Sequence, residues 1–201
     1  MRPLFFIMTL LFAFNIHAQT PKKLIVVGDS LTEGYGVAKE SAFPFLLEKQ
    51  INTESKTKYQ VVNSGISGAT TASAIGRIKW VAKQKPDVIL LVLGANDGLR
   101  GLKLEESEKN LRAAVLEAQK NNIKIILGGL YMPPNYGQEY TQKFSLMYQR
   151  LSKDLKVPLV PFILEKVAGD PKYNLADGIH PNEEGHKIIA ATIFKAIKGE
   201  L

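Results

Sequence analysis

The sequence predicts an α/β three-layer sandwich with a central parallel sheet, on three observations. Strand-like apolar runs alternate with helix-like amphipathic runs, the pattern of successive βαβ units. Residues 88–93, Val-Ile-Leu-Leu-Val-Leu, are apolar without a break, as in a parallel strand covered on both faces. Three short polar, Gly-containing segments directly follow strand-like runs, where parallel sheets collect their ligands.

The first strand is residues 24–28, a β-forming run closed by Gly28. A helix follows over 42–51, with Phe45, Leu46, Leu47 and Ile51 at helical spacing. Residues 59–63 form the second strand. The next helix, 71–83, carries Ala74, Ile78 and Val81 on one face. The apolar run 88–93 is the third strand. Helix 105–121 is strongly amphipathic, with Leu104, Leu111, Val115 and Ala118 inward. A fourth strand spans 123–127, a helix 144–155, a short fifth strand 158–162 and a last helix 183–198. Right-handed crossovers then place helices on both faces of the sheet.

The N-terminus reads differently. Arg2 precedes an apolar run from Leu4 to Phe14, followed by Asn15-Ile16-His17-Ala18-Gln19. A charged start, a short apolar stretch and a small residue make an export signal, cut after Ala18. The apolar run is short for a membrane span. Residues 1–18 are therefore expected to be a signal peptide and 19–201 a single domain, periplasmic or secreted.

The chain of 201 residues can bury a substantial core. It has no cysteine, which excludes disulfides, thiolate metal sites and cysteine nucleophiles. The net charge is +7, but the lysines are spread along the chain. Nucleic-acid binding would require clustered basic residues with stacking aromatics or a known module, and neither is present. Weak attraction to a lipid surface is compatible with this charge. No heptad or broad apolar face suggests assembly, so a monomer is expected.

The segments behind the strands carry the chemistry. Gly28-Asp29-Ser30 delivers a serine to the sheet rim, where a reactive hydroxyl needs a base beside it; its plainer reading is a turn leading to a helix N-cap. Of the three histidines, His17 falls in the signal and His186 inside the last helix, where it reads as a surface or packing residue. His180 lies in the turn-rich Asp177-Gly178-Ile179-His180-Pro181-Asn182. Asp177, three residues earlier, can reach its Nδ1 and fix the tautomer. The plainer reading of that segment is a turn and a helix cap, built by Asp177, Gly178 and Asn182; the strand-end serine favours chemistry. Candidate oxyanion donors are the Ser30 amide, the Gly68 amide in Asn63-Ser64-Gly65-Ile66-Ser67-Gly68, and the Asn96 side chain in Gly94-Ala95-Asn96-Asp97-Gly98. Taken alone, the last segment also reads as a simple turn. Asp29 reads as structural, bonding loop amides.

Other chemistries lack their motifs. No G-x-S-x-G elbow occurs, since Thr32 stands where the second glycine would be. A phosphate loop, a dinucleotide fingerprint and H-E-x-x-H are also missing. With two histidines outside the signal and no cysteine, no metal site is expected.

Together the four segments resemble the SGNH, or GDSL, hydrolase family, whose blocks supply a serine, a glycine, an asparagine and a histidine. The resemblance implies a flavodoxin-like fold with Ser30, Asp177 and His180 as the triad. It implies an oxyanion hole of Ser30, Gly68 and Asn96, with no cofactor. The segments Asn96-Asp97-Gly98-Leu99-Arg100-Gly101 and Pro134-Asn135-Tyr136-Gly137 are similar to the bacterial secreted thioesterase I, lysophospholipase and arylesterase branch. A departure is Ala95, where close relatives often carry glycine. Tyr131-Met132, in a loop expected to touch the acyl group, is another.

The implied activity is hydrolysis of acyl, aryl or lysophospholipid esters and thioesters through an acyl-enzyme intermediate. Leu31, Leu99, Leu102, Tyr131, Met132 and Ile179 flank the motifs and suit either an acyl groove or packing under loops. Two alternatives remain: a carbohydrate O-deacetylase using the same triad, and a non-catalytic lipid- or glycan-binding protein. The only tryptophan, Trp80, falls in a helix expected to pack, which speaks against an aromatic sugar platform.

Overall fold

The structure, a computed structural model, describes residues 20–201. The expected signal and its cleavage point lie outside the described residues. Five strands form one parallel sheet: β1 (Lys22–Gly28), β2 (Tyr59–Gly65), β3 (Val88–Val92), β4 (Lys124–Gly128) and β5 (Leu159–Val160). Their spatial order is β2-β1-β3-β4-β5, every pairing parallel. This is the flavodoxin-like order, whose topological switch lies between β1 and β3. The register pairs Gly28 with both Gly65 and Val92, so these three strands end together. The segments behind them share one rim.

Among the described residues seven α-helices accompany the sheet: α1 (Ser30–Glu33), α2 (Phe43–Glu54), α3 (Ala74–Ala82), α4 (Ala95–Leu99), α5 (Leu104–Lys120), α6 (Gln138–Leu155) and α7 (Glu183–Ile197). Helix α2 packs on α7, while α5 lies between α3 and α6, giving a helical layer on each face of the sheet. Strand β3 is buried at every position, as its unbroken apolar run requires. Ala74, Ile78, Val81, Leu104, Leu111, Val115 and Ala118 all point into the core.

Several details differ from the sequence reading. A short helix, α1, opens at Ser30, with Asp29 as its cap accepting the Leu31 amide on Oδ1. Helix α2 is phased by Phe43, Leu47 and Ile51, which leaves Phe45 exposed. Residues 71–73 form a 3₁₀ turn rather than the start of α3. Helix α6 begins six residues before position 144, because its first turns are polar and solvated. Trp80 is 60% exposed on α3, so it is a solvent-face residue and not a packing one.

Candidate active site

Each candidate side chain is delivered by a strand end or a turn. Ser30 opens α1 immediately beyond β1. As a first-turn residue its N–H has no intrahelical acceptor. His180 and Asp177 come from the turn before α7, which Asn182 caps by accepting the Gly185 amide. That turn is held to the preceding loop by the Leu175 amide on the His180 carbonyl, 2.7 Å, and the Asn182 amide on the Tyr173 carbonyl, 2.9 Å.

The three side chains form one line. His180 Nε2 lies 2.9 Å from Ser30 Oγ, and His180 Nδ1 lies 2.8 Å from Asp177 Oδ2. Asp177 Oδ1 accepts the amides of Ile179 and His180, each at 3.0 Å. These donors hold the Asp177 carboxyl at about 2, the bond from His180 being the largest cause and the backbone amides next. Its negative charge is therefore secure over the range in which an ester hydrolase works. The arrangement suits a neutral imidazole that accepts from Ser30 while Asp177 orients its other nitrogen.

Asn96, in α4 beyond β3, lines the same cavity as Ser30 and His180. Its Nδ2 donates to the Ala69 carbonyl at 3.0 Å, which uses one of its two N–H groups. Gly68 lies one residue before Ala69, with φ 75, in an exposed loop behind β2. It does not line the cavity, but two side chains tie its loop to the site. Arg100 donates to the Gly68 carbonyl at 3.1 Å, and Glu33 accepts both the amide and the hydroxyl of Ser67.

Some residues went unrecognised in the sequence reading. Asp97 is buried and accepts the Thr71 amide at 2.9 Å, the Thr71 hydroxyl at 2.6 Å and the Ser107 hydroxyl at 3.1 Å. It fastens α4, and with it Asn96, to the turn at Thr71 and to α5. Arg77 donates to the carbonyls of Gly28 and Ser64, clamping the ends of β1 and β2. The Tyr35 ring lies beside the His180 ring. Asp97 and Arg100 stood within a recognised motif; for Tyr35 the signal was an aromatic in a Gly-rich loop five residues after the serine.

His186 is buried, and its Nδ1 accepts the Phe43 amide at 3.2 Å. It is thus a packing residue joining α7 to α2. Burial pushes its imidazole down to about 4, with the nearby His180 adding to the shift. Asp29 is fully buried, and burial raises its carboxyl to about 6 despite the opposing Leu31 amide.

Ser30 and His180 open into a cavity of about 510 Å³ with mainly apolar walls. Leu31, Leu99, Tyr131, Met132, Phe162 and Ile179 contribute to them. Leu102 does not, and is instead solvent-exposed. Among the described residues no helix is long and apolar enough to cross a membrane.

Residues 26–188 match the GDSL-like lipase/acylhydrolase family. The chain is 36% identical to thioesterase 1/protease 1/lysophospholipase L1 of Escherichia coli, covering 98% of this chain and 91% of that one. It is 35% identical to an arylesterase of Vibrio mimicus, covering 94% and 95%. Among solved structures, TesA superposes with a TM-score of 0.86 at 35% identity, over 90% of this chain and all of that one. The esterase EstA from Pseudoalteromonas, solved with monoethylphosphonate as inhibitor, gives 0.83 at 31%, over 89% and 98%.

Proposed function

Because the chain belongs to the GDSL-like lipase/acylhydrolase family and is a serine hydrolase acting on ester bonds, we propose that Ser30 is its nucleophile, His180 its base and Asp177 the group that orients the base. The observation that carries this assignment is the continuous Ser30–His180–Asp177 line, with contacts of 2.9 and 2.8 Å.

His180 Nε2 takes the hydroxyl proton as Ser30 Oγ attacks the substrate carbonyl. The oxyanion is held by the Ser30 amide, the Gly68 amide and the Asn96 side chain. His180 then protonates the departing alcohol or thiol, leaving an acyl-Ser30 ester. Water attacks that ester with His180 again as base, releasing the acid and restoring the hydroxyl.

The apolar cavity beside Ser30 favours an acyl chain as the occupant, so acyl, aryl and lysophospholipid esters or thioesters are the substrates. A carbohydrate deacetylase is less well supported, since the walls offer few polar groups for sugar hydroxyls. The first 18 residues act as an export signal, and the enzyme works in the periplasm or outside the cell as a monomer. Exposed Ile179 and Tyr131 at the cavity, with the net positive charge, favour weak contact with lipid surfaces.

The test is a fluorophosphonate probe, with p-nitrophenyl ester hydrolysis measured on the wild type and on Ser30→Ala. Labelling at Ser30 and loss of turnover in the variant are expected. Serine-independent hydrolysis would refute the assignment.

A further inference from the structure

A second concavity of about 870 Å³ adjoins the cavity at Ser30. Val160, Ile188 and Ala191 give it apolar walls, and Glu165, Lys166 and Lys195 also line it. Tyr131 and Phe162 are the two residues that line both spaces. Their rings are stacked almost parallel, centroids 4.4 Å apart and 6° between planes. The stacked pair stands as a wall between the catalytic cavity and the outer groove.

The backbone builds this wall. Tyr131 lies on the loop after β4, and Phe162 on the loop after β5. The two loops continue the pairing of their strands: the Gly129 amide donates to the Val160 carbonyl at 2.8 Å, and the Ile163 amide to the Gly129 carbonyl at 3.1 Å. A Cβ on Gly129 would lie 2.3 Å from the Pro161 carbonyl oxygen, so only glycine allows the loops to come this close. The rings are thus brought together by fixed backbone, while Tyr131 remains 43% exposed and contributes little to the core.

We propose that the Tyr131–Phe162 pair sets the acyl-chain limit of the enzyme by closing the catalytic cavity off from the outer groove. The proposal rests on Ser30 being the nucleophile and on the acyl chain occupying the cavity. A chain short enough to end at the rings gains from each methylene it buries, by about fourfold in kcat/KM. A longer chain meets the wall and gains nothing further. With one ring removed, the two spaces join and the longer chain runs on along Val160 and Ile188.

The experiment measures kcat/KM on p-nitrophenyl esters from butanoate to dodecanoate for the wild type, Tyr131→Ala, Phe162→Ala and Tyr131→Phe, with Ser30→Ala as control. Thermal unfolding identifies which variants are folded; Tyr131→Ala, truncated at a half-exposed position, carries the test if Phe162→Ala does not fold. The dodecanoate-to-butanoate ratio is expected to rise at least fivefold in the alanine variants, and Tyr131→Phe, which keeps the ring, to return it towards wild type. A smaller rise or a fall in Tyr131→Ala, with hydrolysis still dependent on Ser30, overturns the wall while leaving the nucleophile assignment intact. Hydrolysis that persists in Ser30→Ala overturns both.

Discussion

The Tyr35 ring lies against the His180 ring, centroids 4.5 Å apart and planes tilted by 39°. Tyr35 is bound to the turn that carries Ser30, its amide donating to the Ser30 carbonyl at 3.1 Å. One short segment therefore presents the serine and also covers the imidazole. In the proposed mechanism His180 takes the serine proton, and the aromatic face then stabilises the resulting cation by about 0.5–1 kcal/mol at an exposed site.

Tyr35→Leu is therefore expected to lower kcat about two- to fivefold. Tyr35→Phe keeps the ring and should restore the wild-type rate. A leucine variant with unchanged kcat would reduce the tyrosine to a bystander.

Asp177→Asn should lower kcat by about 10⁴, because an amide no longer holds the imidazole in its working tautomer. The same residue shapes acid stability. Its folded value of about 2 lies below the ordinary 3.8, so its stabilising contribution is complete above 3.8 and is lost as pH falls through about 2. The difference in melting temperature between wild type and Asp177→Asn should be constant from neutral pH down to about 5, then shrink as pH approaches 2. Because the Asp177 side chain is 39% exposed, solvent screening keeps that difference small.

Asn96→Ala is expected to cost about 10²–10³ in kcat with little change in KM, the loss associated with removing one oxyanion donor. The variant also releases the Ala69 carbonyl and so loosens the loop that carries Gly68. Steady-state kinetics on a single soluble ester suffices; a pure KM effect would place Asn96 in ground-state binding instead.

Asp29 and His186 act on stability in opposite directions over nearly the same pH range. Asp29 is raised from 3.8 to about 6, so the folded state keeps a proton that the unfolded chain has lost, and stability falls as pH rises across that window. His186 is lowered from 6.5 to about 4, so the unfolded chain holds the extra proton and stability rises with pH. The two slopes largely cancel. Asp29→Asn removes one of them, and urea unfolding at pH 4, 5 and 6 should show the variant gaining on wild type by up to about 1.4 kcal/mol per pH unit. A difference independent of pH would mean that the Asp29 carboxyl titrates alike in the folded and unfolded protein.

The strands were legible because short unbroken apolar runs such as Val88–Val92 end in Gly-containing turn segments, whereas their spatial order came only with the structure. The serine, histidine, aspartate and asparagine were legible because each stands beside a strand end or a tight turn. What could not be read was short or non-local. Helices of four and five residues, α1 and α4, are too brief to show a period. Phe45 matched helical spacing as well as Phe43 did, and only the approach of α7 decides which is buried. Asp97 belonged visibly to a motif, yet its partners Thr71 and Ser107 are brought to it by tertiary contact. The stacking of Tyr131 on Phe162 follows from two strand ends lying side by side, which neither residue's neighbours announce.

The Ser30–His180 contact joins positions 150 residues apart, and its second half hangs on α7, a helix docked through His186 onto Phe43. With α7 undocked, the proposed base is withdrawn from Ser30. Turnover is thus a gauge of chain closure: a nascent, unfolding or clipped form cannot cleave esters by fractions of its structure. Loss of activity on heating should then coincide with detachment of α7, which makes a simple colour assay a reporter on the docking of that helix.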